Sequence, residues 1–220
     1  MRIKDWMTKD PVVVTPDTPL VEARKIMDRF KIHHLPVVKK GKLVGMLTRR
    51  KVLEASPSSA TTLSMHELAY LLSQMKVEEV MVKDPVWVTP DTPVEDVVLL
   101  GYKKGIGSFP VVDKDKRVIG IATATEITRG ILEIFAAREE DVLRLTLLNV
   151  AVDEDTFPKI TEVLKKAKAI PLSIFSLPEP GTLERKIIIR CKTTKHKPVV
   201  DGLKAAGFRV EKVVPLRLED

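Results

Sequence analysis

Apolar positions in the first part of the chain follow a scheme that occurs twice. Val12 to Val14 is a short β-branched run closed by Thr15-Pro16-Asp17-Thr18-Pro19. Proline and Asp/Thr there predict a turn and a helix start, with Thr18 as N-cap and Pro19 at the first helical position. Leu20, Ala23, Ile26, Met27 and Phe30 recur at helical spacing. Leu35 to Val38 predicts a buried strand, Lys40-Gly41-Lys42 a hairpin turn and Leu43 to Leu47 its partner, while Thr48 opens another helix. The unit reads β-α-β-β-α.

The same scheme returns at an offset of 74. Residues 7–19 and 81–93 agree at 11 of 13 positions, both carrying Lys-Asp-Pro-Val and Val-Thr-Pro-Asp-Thr-Pro. Ile32-His33-His34-Leu35-Pro36-Val37-Val38 answers Ile106-Gly107-Ser108-Phe109-Pro110-Val111-Val112, and Gly45-Met46-Leu47-Thr48 answers Gly120-Ile121-Ala122-Thr123, one residue further displaced. Such self-similarity marks a duplicated structural unit. Between the copies, residues 56–62 form a polar loop, and Ser64 with Glu67 predicts a capping box for a helix over Met65 to Met75 whose apolar side is Tyr70, Leu71 and Leu72.

After residue 140 the pattern changes. Leu143 to Val152, Ile170 to Leu177, Lys186 to Thr193 and Val210 to Leu218 predict strands, and Thr156 to Lys168 and Lys197 to Ala206 predict helices, with Gly207 as a C-cap. Pro178-Glu179-Pro180-Gly181 is a turn. The order β-α-β-β-α-β is that of a ferredoxin-like sandwich. The expected organisation is α/β (α+β): unit 1 over 1–57, a linker and helix over 58–76, unit 2 over 77–139, and a third domain over 140–220.

Composition narrows the function classes. The 220 residues carry 37 basic and 30 acidic side chains, and 44% are hydrophobic, which excludes a disordered chain. No run approaches the ~18 apolar residues of a membrane span, and the first residues lack a signal-peptide core, so a cytoplasmic, soluble protein is expected. A lone cysteine, Cys191, excludes an intrachain disulfide and a cysteine zinc site. One asparagine and one glutamine beside 30% charged residues give a thermophile-like composition. Residues 1–60 hold 13 basic and 6 acidic groups, matching the whole net charge of +7, which points to a local anion site.

The repeat, the paired Pro-Val-Val strands and the Gly-x-x-Thr turns together resemble a tandem CBS-domain module, or Bateman module. The linker Ala55-Ser56-Pro57-Ser58 leading to Leu63-Ser64 is similar to that of acetoin-utilisation-protein-B-like members. The third domain resembles an ACT domain. ACT domains often bind amino acids through a glycine after the first strand, but here Ala151-Val152-Asp153-Glu154-Asp155 carries three carboxylates and no glycine, which favours dimerisation.

A threonine that ends a strand and opens a helix presents a hydroxyl and free N–H groups to an anion. The resemblance adds that CBS turns read Ser/Thr-x-x-Asp, the hydroxyl facing phosphates and the carboxylate accepting from ribose. Unit 2 has Thr123-Ala124-Thr125-Glu126, and unit 1 has Thr48-Arg49-Arg50-Lys51. Lysine cannot accept a hydrogen bond, so Lys51 instead meets a phosphate or sits on a solvated basic face. The expected contacts of unit 2 are Met81, Val86, Ile106, Gly107, Ser108, Thr123 and Glu126. Those of unit 1 are Met7, Val12, Ile32, His33, His34, Thr48, Arg49, Arg50 and Lys51. The plainer account of both turns is helix capping, and of the apolar positions ordinary core.

Gly105-Ile106-Gly107 begins like a dinucleotide fingerprint, but Pro110 takes the third glycine position. His33 and His34 are adjacent, so on a strand they face opposite sides and do not chelate one metal. His66 and His196 stand alone. The leading expectation is a non-catalytic sensor of an adenosine ligand, an adenine nucleotide or S-adenosylmethionine, acting as a homodimer on an unidentified regulated protein. The alternatives are an assembly module with empty pockets and, against the 5% aromatic content, nucleic-acid binding. No acid–base or nucleophile constellation supports an enzyme.

Overall fold

A computed structural model describes residues 1–55, 74–137 and 139–212. They fall in two compact units that divide the chain as Met1–Arg129 and Gly130–Asp220.

The first unit holds both repeats. Strands β1 (Thr8–Lys9), β2 (His34–Lys39) and β3 (Lys42–Thr48) with helices α1 (Leu20–Phe30) and α2 (Arg49–Ala55) come from the first. The second supplies α3 (Val77–Val80), β4 (Val82–Lys83), α4 (Val94–Lys104), β5 (Ser108–Val112), β6 (Val118–Thr123) and α5, which runs Ala124–Ile134. The sheets are ordered β1-β6-β5 and β2-β3-β4. Each leading strand therefore completes the other repeat's sheet, Thr8 opposite Ile121 and Val82 opposite Met46.

The exchange extends through the residues ahead of each strand. Ile3 is buried in the second repeat's core with Val88, Val97 and Phe109, while Val77 joins Leu20, Met27 and Leu35 in the first. Matching backbone bonds tie the segments down: Ile3 N–H to Thr92 O and Val94 N–H to Met1 O, against Val77 N–H to Thr18 O and Leu20 N–H to Met75 O. Arg2 and Lys4 pair with Asp91 as Lys76 pairs with Asp17.

Several local expectations are corrected. Val12 to Val14 is not a strand. Asp10 turns with φ +46° and Pro11 has no N–H, so the ladder ends at Lys9 and only Val14 bridges, in parallel, to Val37. Pro36 and Pro110 occupy edge strands, where a missing N–H costs nothing, and their carbonyls accept from Val14 and Val88. Thr18 does not cap α1. Its hydroxyl accepts from Thr15 N–H at 3.0 Å, and the helix begins at Leu20 after an uncapped Pro19. Phe30 lies on the open side of α1 and is 51% exposed. The helix expected over Met65 to Met75 lies almost wholly outside the described residues.

Gly45 and Gly120 sit where the exchanged strands cross. A Cβ on either would press into the thioether of Met81 or Met7, and would stand 3.2 Å from Val82 O or 3.1 Å from Thr8 O. Glycine is required by close approach, not by dihedral angle.

The second unit has strands β7 (Val142–Val150), β8 (Ile170–Pro178), β9 (Arg185–Lys192) and β10 (Arg209–Lys212), with helices α6 (Thr156–Lys166) and α7 (His196–Ala205). The antiparallel order β10-β7-β9-β8 is the ferredoxin-like arrangement expected from sequence. Alternate residues of β7 and β9, among them Leu143, Leu145, Ile187, Ile189 and Cys191, meet Ile160, Leu164, Val199 and Leu203 from the helices. The acidic loop is partly self-satisfied: Thr156 donates its hydroxyl to Asp153 and accepts from its N–H, which holds the Asp153 carboxyl below its usual range. The last part of the expected fourth strand lies outside the described residues.

Two outcomes follow. Gly45→Ala or Gly120→Ala should cost about 1–3 kcal/mol in denaturant unfolding through overpacking, whereas Gly107→Ala, with nothing within 4 Å of its Cβ position, should stay within about 0.5 kcal/mol of wild type. Burial pushes the Cys191 thiol up to about 11. In Ellman titration Cys191 should therefore be silent in the folded protein and titrate as one thiol after denaturation.

Candidate functional site

The crossing segments create the cavities of the first unit. Leaving β1, residues Asp10 to Val12 pass over the second repeat's β6–α5 turn before Val14 returns to β2. Residues Asp84 to Val86 make the equivalent passage over the β3–α2 turn. Two cavities result, related by the repeat.

One cavity, about 510 Å³, is lined by Thr8, Asp10, Pro11, Val12, Ile32 and His33 of the first repeat. Facing them are Thr123, Thr125 and Glu126 of the second. The other, about 360 Å³, places Val82, Asp84, Pro85, Val86 and Ile106 of the second repeat against Thr48, Arg50 and Lys51 of the first. Every residue of the first list up to Ile32 has its counterpart 74 positions on. His34 and Gly107 border both spaces. Both volumes fall in the range of about 300–1,000 Å³ usual for small-molecule sites.

The structure thus regroups the sequence-predicted residues. Thr123 and Glu126 face Val12, Ile32 and His33, not the Val86 and Ile106 of their own repeat. Thr48 and Lys51 take the place beside Val86, Ile106, Gly107 and Ser108. His33 and His34 are not separated by strand alternation, because β2 begins only at His34, and both reach the larger cavity. Met7 and Met81 line neither space; they cover Gly120 and Gly45. Arg49 turns away and pairs with Asp28 at 3.0 Å.

Sequence reasoning passed over Phe30, Lys31, Asp10 and Pro11, and their counterparts Asp84 and Pro85. The signal for the last four was present, since Asp-Pro stands at the same place in both repeats.

The two turns differ in chemistry. In the larger cavity, Thr123 N–H donates to Glu126 Oε2 at 3.0 Å and the Thr123 hydroxyl donates to the same oxygen. Thr8 Oγ1 donates to Glu126 Oε1 at 3.2 Å. Glu126 therefore caps α5 and is also braced by the exchanged strand. In the smaller cavity Lys51 N–H donates to Thr48 Oγ1 at 3.2 Å, so the hydroxyl caps α2 alone. Lys51 Nζ and Arg50 Nε each stand 3.0 Å from the Glu54 carboxylate. The Lys51 hydrogen bond is the main reason that carboxyl titrates low. Burial, reinforced by His33 and opposed by Glu126, holds His34 below its ordinary value. Among the described residues no cluster of His, Cys, Asp or Glu is arranged to hold a metal, and no helix is long and apolar enough to cross a membrane.

The CBS domain family matches residues 3–58 and 77–133. An L-aspartate semialdehyde sulfurtransferase of Methanocaldococcus jannaschii is 32% identical over 128 residues, which are 58% of this chain and 22% of the enzyme. The chain thus spans about a fifth of that relative's length. Among solved structures, the CBS domain pair of protein MJ0100, in complex with 5′-methylthioadenosine and S-adenosyl-L-methionine, is 31% identical with a TM-score of 0.51, over 63% of this chain and 98% of that one. An acetoin utilization protein (AcuB) from Vibrio cholerae is 27% identical with a TM-score of 0.53, covering 64% and 96%. CBSX2 of Arabidopsis thaliana, in complex with AMP, is 27% identical with a TM-score of 0.53, covering 61% and 98%. A duplicated β-α-β-β-α unit with exchanged leading strands, matched over more than half the chain, places this protein in the CBS domain family as a tandem CBS pair.

Proposed function

We propose that the CBS pair is a regulatory sensor that binds adenosine compounds in the two cavities built at the crossing segments. The observation that carries this reading is the matched pair of cavities, each combining apolar residues from one repeat with the threonine turn of the other. Val12 with Ile32, and Val86 with Ile106, offer apolar surfaces for a base, and the Thr123 and Thr48 turns offer polar contacts for the sugar and its substituents. Similarity to the MJ0100 pair and to CBSX2, with their adenosine ligands, supports the ligand class.

The sequence divides, on this reading, into CBS units over 1–57 and 77–139 joined by 58–76, and an ACT-like domain over 140–220. That last domain serves assembly, since the loop after its first strand spends Asp153 on Thr156. Val98, Leu99 and Tyr102 leave an apolar stripe exposed on α4, which favours a homodimer through the CBS pair.

A melting panel of AMP, ATP, S-adenosylmethionine and 5′-methylthioadenosine tests the sensor. A ligand present at ~100 times its Kd should add about 2.7 kcal/mol of stability, whereas a flat panel would favour an assembly module with empty pockets. Gly107→Leu, which places a side chain where both cavities are bordered, should abolish the shift while the protein remains folded. Leu99→Glu with Tyr102→Glu should turn a dimer into a monomer in light scattering; unchanged mass would remove α4 from the interface.

A further inference from the structure

We propose that the second unit carries a phosphate-binding site on the face of its sheet turned away from the helices, made by Arg144 and Arg190 with Ser173. It takes a phosphate dianion, either free or as the terminal group of a small phosphorylated metabolite.

Strand register puts the three side chains in one row. Arg144 of β7 stands opposite Arg190 of β9, and Arg190 stands opposite Ser173 of β8. Directly opposed residues of antiparallel strands share a face, and successive residues alternate. Leu145, Ile189 and Ile174, one residue along each strand, pack in the core beneath the helices, so the row faces the other way. Ile188 and Phe175 form the next row on that face, and the Phe135 ring packs against it with its centroid 4.7 Å from that of Phe175. On the other side, Lys192 pairs with Glu139 at 3.4 Å. Phe135 and Glu139 thus meet the sheet one row to either side of the arginines, which are half-buried.

Among the described residues neither guanidinium is paired with a carboxylate, and Arg190 Nε and Ser173 Oγ are buried without a hydrogen-bond partner. Lys186 and Lys192 on the same face already meet Glu179 and Glu139. Glu211, opposite Thr146 on β10, pairs with neither arginine. Like charges directly opposed on a sheet are destabilising, and so is a buried donor with no acceptor. Burial, and then the charge of Arg144, hold the Arg190 pKa below its ordinary value. An oxyanion between the guanidinium groups relieves all of these at once. It screens the two charges from each other and accepts from both Nε and the Ser173 hydroxyl. Two unmatched positive charges call for a dianion. Side chains that start roughly 5 Å apart converge on one compact group, and the arginine fork matches the oxygens of a phosphate. Ile188, Phe175 and Phe135 flank the row with apolar surface, which lowers the local dielectric and strengthens the attraction.

Calorimetric titration of the full chain with inorganic phosphate, glycerol 3-phosphate and acetate tests the site. Both phosphates should bind, and acetate should bind at least roughly tenfold more weakly. The tighter of the two phosphates tells whether the site prefers the free ion or an ester. Arg144→Met and Arg190→Met keep the apolar stem of the side chain and should each weaken phosphate roughly tenfold or more. Without phosphate, either variant should melt at or above the wild-type temperature, because one of two opposed charges is gone. In the wild-type protein, saturating phosphate should raise the melting temperature and sulfate should displace it, measurements that need no variant to fold. Acetate binding as tightly as phosphate, or no phosphate binding to the wild type, overturns the proposal. Phosphate affinity within about twofold of wild type in both variants overturns it as well.

Discussion

The structure of the CBS pair depends on one constraint, the reciprocal exchange of the residues ahead of each repeat. Neither three-stranded sheet exists without a strand from the other copy, and neither core is closed without Ile3 or Val77 from across the pair. A repeat taken alone would expose a strand edge and an unfilled core, so the two copies share one stability. The glycines at the crossings follow from the same constraint. Gly45 and Gly120 let the exchanged methionine and backbone carbonyl approach the hairpin, and any side chain there would push the strands apart.

The exchange also produces the cavities. A chain that pairs with one sheet and then returns to the other must cross between them, and Asp10–Val12 and Asp84–Val86 are those crossings. Their side chains line spaces whose far walls are the turns of the opposite repeat. Stability and site are linked most directly at Glu126, which caps α5, accepts from the exchanged strand through Thr8 and faces the larger cavity. Its counterpart turn shares the threonine and carries lysine at the place of the carboxylate. The repeats share one architecture, but their turns and positions such as Lys31, whose counterpart is Gly105, make the two spaces chemically unlike.

Much of the fold was legible in advance. The hairpins Leu35–Val38 with Leu43–Leu47, the helix from Leu20 and the ferredoxin-like order of the second unit all follow from periodicity and turn chemistry, which act over a few residues. Errors arose where a local signal had two uses. Thr18 has the look of an N-cap, yet its hydroxyl closes the Thr15 turn instead. Val12 to Val14 has strand propensity, yet Asp10 and Pro11 break the ladder and leave only Val14 paired. Phe30 fits the helical apolar spacing but falls at the end of α1, beside a cavity, where no core covers it.

The residues that line the cavities were legible only in part, with Met7, Met81 and Arg49 falling outside both spaces, and not as two groups. Sequence alone determined that a unit was duplicated, that each copy ends a strand on a threonine opening a helix, and that the two turns carry opposite charge, because these are properties of neighbouring residues. Only the tertiary structure decided which turn faces which apolar segment. Thr8 meets Glu126 across 118 positions because β1 pairs with β6 and not with its own repeat's hairpin. That choice is made by long-range strand pairing and by the burial of Ile3 and Val77, and no local pattern encodes it.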